Sequence, residues 1–589
     1  MSRNSLYIVI GLALLALLLA PQFLSAFNIT LLNYIGIYAL VAIGLALLTG
    51  VGGILSFGQA AFVGISAYST AWLTTAYGAS PWLGLLLGVA LTCGSALVIG
   101  GITLRLQGHY LSLSTIAWGL AIGFLFGNME SLGKHNGLSG VPPISIGSVA
   151  LVQSWQIFYL IWAIVCVAIV LVYNLLDSRP GRVMRTLRGG NTLVESLGVN
   201  VFHVKVACFV IAAFLAALSG WLYAHLSRFV SPTPFEPLMG IEYLMMTMVG
   251  GAGSPIGGVI GAALVTLLKN TIQDYLPYIV SGAGQLETVA FGCLFILFLQ
   301  YARQGIAPWV KQFLPEIRRA RPGAADPLPL REKPQPGTPL LQVDQVERRF
   351  GGLIAVNKVS FSVNAGEIMG LIGPNGAGKS TMFNLLTGAL HANSGSITFA
   401  GSDITRSPQF AIARSGIART FQHVKLRPKM TLLDNVMLGA YPRTHTGLLR
   451  GAFRLDRTEE ASTRYDALKQ LERVGLGDKP YELAGNLSLG EQRILEIARA
   501  LAADPVLLVL DEPAAGLRRQ EKLKLAQLLR SLRDDDRLTI LLVEHDMEFV
   551  MGIVNRIVVM DFGEKLCEGQ PAEVRANPRV QEAYLGGTA

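Results

Sequence analysis

"EIMGLIGPNGAGKSTMFNLLTG" (Glu367–Gly388) is an apolar run, a glycine-rich turn and a helical pattern in succession. Within it lies Gly373-x-x-x-x-Gly378-Lys379-Ser380, the phosphate-binding loop in the strand-to-helix setting that makes the motif specific. Glycines let successive backbone N–H groups curl round an anion, and the following helix N-terminus adds positive field. The spacing assigns Gly373, Pro374, Asn375, Gly376, Ala377, Gly378, Lys379, Ser380 and Thr381 to the phosphates of ATP. Lys379 would reach the β- and γ-phosphates, and the Ser380 hydroxyl would take a place on Mg²⁺.

Outward from this loop, other strands carry matching chemistry. "PVLLVLDEP" (Pro505–Pro513) is an apolar strand ending in two acids. Asp511 is placed to hold Mg²⁺, and Glu512 to orient or deprotonate the attacking water. "LTILLVEHD" (Leu538–Asp546) ends at His545, placed to sense the γ-phosphate. Upstream, "LLQVDQVERRFGGLIAVNKVSFSV" (Leu340–Val363) alternates as paired strands around a Gly-Gly turn.

These spacings resemble the ATP-binding cassette (ABC) ATPases. "LSLGEQRILEIARAL" (Leu487–Leu501) is similar to that family's signature before its helix, with Leu489 and Glu491 departing from the usual glycine and glutamine. The resemblance implies that Ser488 and Gly490 bind the γ-phosphate of an opposite subunit's nucleotide. It also implies that Gln422 links Mg²⁺ to the membrane-contacting region and that Phe350 stacks on adenine. "AAGLRRQ" (Ala514–Gln520) occupies the D-loop, with Arg518 where the family has aspartate or asparagine. "ARTFQHVKLRPKMTLLDNV" and the ending "NPRVQEAYLG" resemble one ATPase subunit of branched-chain amino acid importers.

The rest of the chain has a different composition. Of 589 residues, 51% are hydrophobic and only 15% charged, where a soluble domain carries about 25% charged. The apolar blocks precede Arg303. Spans of about 20 apolar residues cross a bilayer, and the sequence predicts them at Leu6–Phe27, Leu31–Leu48, Phe57–Tyr77, Pro81–Leu104, Tyr110–Met129, Trp155–Leu176, Val204–His225 and Glu287–Tyr301. Met239–Ile272 reads as two short apolar pieces broken by glycine and proline, which return the chain to the side it left. Gly253, Gly257 and Gly261 make a small-xxx-small face there. Glu242 is an acid at an apolar edge and a functional candidate for that reason. "GILSFGQAAFVGISAYS", "NGLSGVP" and "MVGGAGSPIGGVIGAAL" resemble one permease subunit of the same importers.

Two further stretches join these halves. Asp177–His203 places Val183, Leu187, Val194 and Leu197 among arginines, reading as two short helices at the cytoplasmic face that dock a soluble partner or rest at the headgroups. "RPGAADPLPLREKPQPGTPL" (Arg321–Leu340) holds six prolines and reads as an extended, semi-rigid linker. The net charge of +9 does not imply nucleic acid, because the arginines cluster between apolar segments. Five cysteines without metal or redox spacing read as small buried residues.

The expected fold is multi-domain: a polytopic all-α membrane domain (1–303), a Pro-rich linker (304–339) and an α/β P-loop ABC ATPase (340–589) with antiparallel β and α-helical subdomains. The expected site is Glu512, His545 and Gln422 for catalysis, Phe350, residues 373–381, Ser488 and Gly490 for nucleotide, and Ser380, Gln422 and Asp511 for Mg²⁺. The expected function is ATP-driven import of branched-chain or similar small hydrophobic amino acids across the bacterial inner membrane, with the ATPase cytoplasmic. Expected partners are a second permease and second ATPase, or a second copy, and an extracytoplasmic substrate-binding protein. Urea, amides or another small solute is the alternative cargo. An exporter or a membrane-tethered regulatory ATPase fits less well, since the cytoplasmic loops are short and the apolar half is glycine-broken.

Overall fold

Within lipid every backbone amide must find a partner in its own segment, so long apolar runs become helices. The computed structural model describes residues 3–106, 108–279, 286–302, 305–313 and 320–585. Contacts divide the chain into two units: Met1–Asp177 with Phe202–Arg318, and Ser178–Val201 with Arg319–Ala589.

In the first unit, six helices among the described residues are long and apolar enough to cross a membrane: Ala26–Val51, Pro81–Thr103, His109–Asn128, Ser154–Leu176, Val201–Ser227 and Pro255–Tyr275. Arg3–Phe23, Gln59–Tyr77 and Leu286–Tyr301 are helical as well. Helix Ala26–Leu45 ends in a π-turn, Ala46–Val51, and the chain then unwinds before Gln59. A π-turn inside a helix is rare and often marks a functional site. The stretch Lys134–Pro143 is pinned by a short antiparallel pair, Leu138–Ser139 with Phe229–Val230.

The broken region differs from expectation in one respect. Pro237–Gly250 has 14 residues, about 21 Å of helix and too short to cross. Its neighbour Pro255–Ile279 has 25 residues and is long enough. The sequence suggests a shorter piece because Lys269, Asn270 and Gln273 interrupt the hydropathy but not the helix.

The small residues serve close packing. A Cβ on Gly261 would lie 1.7 Å from the Met246 carbonyl oxygen, and one on Gly250 would lie 1.7 Å from that of Gly257. Gly50, in the π-turn, approaches Gly253 so closely that a Cβ would stand 2.0 Å from its nitrogen. The π-turn and the broken region, some 200 residues apart, therefore meet backbone to backbone. Gly261→Leu is expected to abolish recovery of monodisperse protein. Gly94→Leu, where nothing lies within 4 Å of the added Cβ, should leave it intact. Size-exclusion profiles of the two variants check this.

The second unit is built on a six-stranded sheet. Its order is Ile417–Arg419, Leu507–Asp511, Thr539–Val543, Ile368–Ile372, Arg556–Asp561 and Glu564–Gly569, all parallel except the last. Leu507–Asp511, Thr539–Val543 and Ile368–Ile372 are buried at every residue. Continuous apolar strands are what a sheet covered on both faces requires. A four-stranded antiparallel sheet, ordered Leu353–Asn364, Pro339–Phe350, Ser394–Phe399 and Ser402–Asp403, adds the β subdomain. Helices Leu432–Gly439, Arg457–Arg473 and Leu489–Leu501 share a separate apolar cluster, the α-helical subdomain.

The proline-rich stretch is laid onto this unit instead of standing free as an extended tether. Leu328 is buried in the helical subdomain's core beside Leu432 and Leu468. Its backbone N–H donates to Asp466 at 3.1 Å, and Arg443 donates to its carbonyl at 3.0 Å. Lys333 pairs with Asp504 at 2.8 Å. Prolines hold the segment extended, and one leucine with a few charges fixes where it lies.

Candidate active site

The loop 373–378 leaves the end of strand Ile368–Ile372 and enters helix Lys379–Leu386. Gly376 and Gly378 have φ of +86° and +93°, values that favour glycine. A Cβ on Gly378 would also meet the Ala355 carbonyl oxygen at 2.3 Å. At Gly376, which is exposed, nothing lies within 4 Å of an added Cβ. Lys379 is buried and its Nζ donates to the carbonyls of Gly373 at 2.7 Å and Pro374 at 2.8 Å. Burial lowers its pKa, while the Glu512 and Asp511 carboxylates act in the opposite sense. The sheet order brings these three side chains together from two strands separated by a third.

Asp511 is buried at the end of its strand, and its N–H donates to the Thr420 hydroxyl at 3.1 Å. Burial pushes its carboxyl up to about 6; Arg419 pulls it down, and Glu512 and Glu544 add to the rise. Glu512 has φ +47°, left-handed backbone in a non-glycine residue and a strain that tends to gather at functional sites. Its N–H donates to Val543 O at 2.8 Å and its carbonyl accepts from Arg493 at 2.9 Å. Both ends of the strained peptide are thus held. His545 Nδ1 stands 3.7 Å from Glu512 Oε1.

Ser380, in the first turn of its helix, and Gln422, in the loop after Ile417–Arg419, are exposed, and the Gln422 carbonyl accepts from Arg493 at 3.2 Å. Phe350 ends strand Pro339–Phe350, exposed, with the Arg348 guanidinium 4.7 Å from its ring centroid. Lys379, Asp511, Glu512 and His545 form one group. Ser488 and Gly490 belong to another. Ser488 caps helix Leu489–Leu501, accepting from Glu491 N–H and donating to the Glu491 carboxylate at 2.9 Å. Gly490 faces Leu517 and Glu521. Of the departures from the signature and D-loop patterns, Glu491 completes a capping box with Ser488, and Arg518 precedes helix Arg519–Asp536, its N–H donating to the Glu521 carboxylate at 2.7 Å. Lys479 also pairs with Glu491.

Two residues escaped the sequence reading. Glu544 is wholly buried and accepts from Ala514 N–H at 2.7 Å and His545 N–H at 3.1 Å, tying the ends of the two strands together. An acid ahead of His545 at a strand end was the available signal. Arg493 spans from Glu512 to Gln422; it sits in the signature helix, where nothing local distinguishes it.

The donor set suits Mg²⁺, which takes oxygen ligands from one or two protein groups and keeps phosphate and water for the rest. Asp511 and Ser380 are oxygen ligands of that kind. The raised Asp511 carboxyl has a measurable consequence. A carboxyl whose pKa is higher in the fold than in the unfolded chain costs stability once ionised. That cost is full above about pH 6 and gone below about pH 4. Asp511→Asn should therefore raise the thermal midpoint of nucleotide-free protein at pH 7.5. The gain should shrink as pH falls to 4.5, a trend followed by thermal unfolding across that range.

A second constellation belongs to the same unit. Val183 in helix Arg179–Thr186, Val194 in helix Asn191–Ser196, and Leu187 and Leu197 just after each helix, the apolar stripe of the Asp177–His203 stretch, are all buried. Arg182, 3% exposed, meets Glu460 through two bonds of 2.8 and 2.7 Å. The Arg179 guanidinium lies 3.6 Å from the Tyr441 ring centroid and donates to the carbonyls of Tyr441 and Thr446. Arg414 Nε donates to Gly198 O at 2.7 Å. The stretch docks on the ATPase fold.

Comparison with known proteins agrees with both halves. Residues 27–299 match the family described as "Branched-chain amino acid transport system / permease component". Residues 356–515 match "ABC transporter", and 564–589 match "Branched-chain amino acid ATP-binding cassette transporter". The high-affinity branched-chain amino acid transport ATP-binding protein LivG of Salmonella typhimurium is 46% identical over 253 residues, covering 42% of this chain and 98% of LivG. BraF of Pseudomonas aeruginosa is 43% identical over 251 residues, 42% of this chain and 98% of BraF. A solved nucleotide-free ATP-binding cassette from an ABC transporter is 32% identical, covering 42% of this chain and all of that one, with a TM-score of 0.38.

Proposed function

This chain belongs to the branched-chain amino acid ABC transporter family, with a permease and an ATP-binding cassette in one polypeptide, and on that premise we propose that it imports branched-chain amino acids at the expense of ATP. The observation that carries the reading is the union of both components in one chain, with Ser178–Val201 of the permease docked on the cassette through Arg182 and Glu460. The permease comprises residues 1–303, the linker 304–339 and the cassette 340–589. The cassette is cytoplasmic.

The residues divide the work. Loop 373–381 holds the phosphates and Lys379 neutralises them, exchanging its loop carbonyls for phosphate oxygens. Phe350 stacks on adenine. Ser380, Gln422 and Asp511 would hold Mg²⁺, which would neutralise the charge that builds on the phosphate oxygens. Glu512 takes a proton from the attacking water, and His545 contacts the γ-phosphate. Ser488 and Gly490 complete the nucleotide site of a second cassette, consistent with their place apart from Lys379. Closure and reopening of the paired cassettes move Ser178–Val201, and the permease alternates its opening. The assembly includes a second permease and a second cassette, and an extracytoplasmic binding protein delivers the solute.

The test is uptake of labelled leucine, isoleucine, valine and urea by cells carrying the parent or Glu512→Gln. Accumulation of the three amino acids that requires Glu512 is expected. Glu512-dependent uptake of urea alone would reassign the cargo.

A further inference from the structure

The cavity bordered by helices Ala26–Leu45, Pro237–Gly250 and Pro255–Ile279 has a volume of about 220 Å³. It is smaller than the roughly 300–1,000 Å³ of pockets for drug-sized ligands, and so suits a small solute. Its wall carries an ion pair inside apolar helices: Lys269 Nζ stands 2.9 Å from Glu242 Oε1. Charges in such segments are expensive and commonly mark a solute pathway. Resting on the import reading above, we propose that this cavity is a substrate site that reads the zwitterionic end of an amino acid, with Lys269 taking the α-carboxylate and Glu242 the α-ammonium.

Three features favour a binding site over an ion pair that merely pins two helices. The pair lines a cavity instead of being sealed in packing, with side chains 38% and 14% exposed. In the same wall the Thr266 hydroxyl is buried without a hydrogen-bond partner, a donor available to a carboxylate. The remaining wall has the right complement. Tyr34 and Tyr38 bring aromatic rings, a side-chain type that attracts an ammonium, and Leu31 and Met246 bring apolar side chains suited to a branched one.

The charge balance supplies selectivity. Lys269 and Glu242 neutralise each other when the cavity is empty. A zwitterion opens that pair and replaces it with two, so no charge is left unpaired. A simple carboxylic acid or amine would strand Glu242 or Lys269, and urea brings no charge with which to open the pair. The location also fits. Val201–Ser227 separates the Arg-rich stretch from the turn before Pro237, and Glu242 lies five residues, about 7 Å, past Pro237. The site then lies near the membrane face opposite the cytoplasmic one, where an imported solute arrives.

The experiment uses the full chain with its copurifying partners in proteoliposomes and photo-leucine, a diazirine analogue of leucine, as the probe. Labelled peptides are located by mass spectrometry. Labelling is expected on 26–45 and 237–250 and should be competed by leucine but not by isovalerate or isoamylamine. It should fall about tenfold or more in Glu242→Gln and Lys269→Met, partly return in Glu242→Asp, and weaken severalfold in Thr266→Val, which leaves the ion pair untouched. Labelling confined to other helices, or unchanged in all these variants, overturns the site while leaving the import reading intact. Loss of labelling that accompanies loss of monodisperse protein, and that Glu242→Lys with Lys269→Glu restores, makes the pair a structural pin and overturns it too. A parent that accumulates no leucine overturns the import reading, and this site with it.

Discussion

Glu512→Gln is expected to lower ATP turnover by about two to four orders of magnitude while leaving ATP binding intact, the range attributable to loss of a positioned general base. The substitution keeps the size of the side chain and removes only its basicity. The backbone that aims it does not depend on the side chain. Glu512 N–H is held by Val543 O, its carbonyl by Arg493, and the following turn by Glu544 on Ala514 N–H. A fall in rate therefore reports chemistry and not a displaced loop. Leucine accumulation should drop with hydrolysis, because the proposed import cycle consumes ATP. Turnover in proteoliposomes and nucleotide affinity by equilibrium binding separate the two effects. A loss of less than about tenfold would remove Glu512 from the role of base.

Arg182→Ala should uncouple the two activities: leucine uptake down by tenfold or more, ATP hydrolysis within about twofold of the parent. The pair is bidentate and buried, and removing one partner of such a pair costs about 3–5 kcal/mol because the other charge is left stranded. About 1.4 kcal/mol suffices for a tenfold change in a docking equilibrium. Arg464 lies 3.9 Å from Glu460 and compensates only in part. The nucleotide site would be spared, since Lys379, Asp511 and Glu512 take their positions from the central sheet. Exchanging the charges, Arg182→Glu with Glu460→Arg, should recover part of the uptake. If uptake and hydrolysis fall together in Arg182→Ala, Arg182 supports the cassette fold and does not transmit motion.

How much was legible depended on range. The phosphate loop, Asp511, Glu512 and His545 were readable because each sits at a strand end with its motif beside it. The membrane helices were readable because lipid leaves one solution for an apolar run. The length of Pro255–Ile279 was missed because hydropathy falters at Lys269 while the helix does not. The apolar stripe on Asp177–His203 was visible, but its two destinations, headgroups or protein, carry the same local pattern. The prolines of the linker predicted extension and gave no sign of where Leu328 is buried.

From the sequence alone came the two kinds of domain, the nucleotide chemistry and the family. These follow from periodicity and from motifs whose residues are neighbours in the chain. The tertiary structure decided the pairings: Arg182 with Glu460 across 278 residues, Glu544 with the Ala514 amide, Gly50 against Gly253, and Glu242 with Lys269. A charge or a glycine has the same local signature whether it faces solvent, lipid or a partner. Only the folded chain shows which neighbour satisfies it, because only folding fixes which backbones approach closely and which charges leave water together.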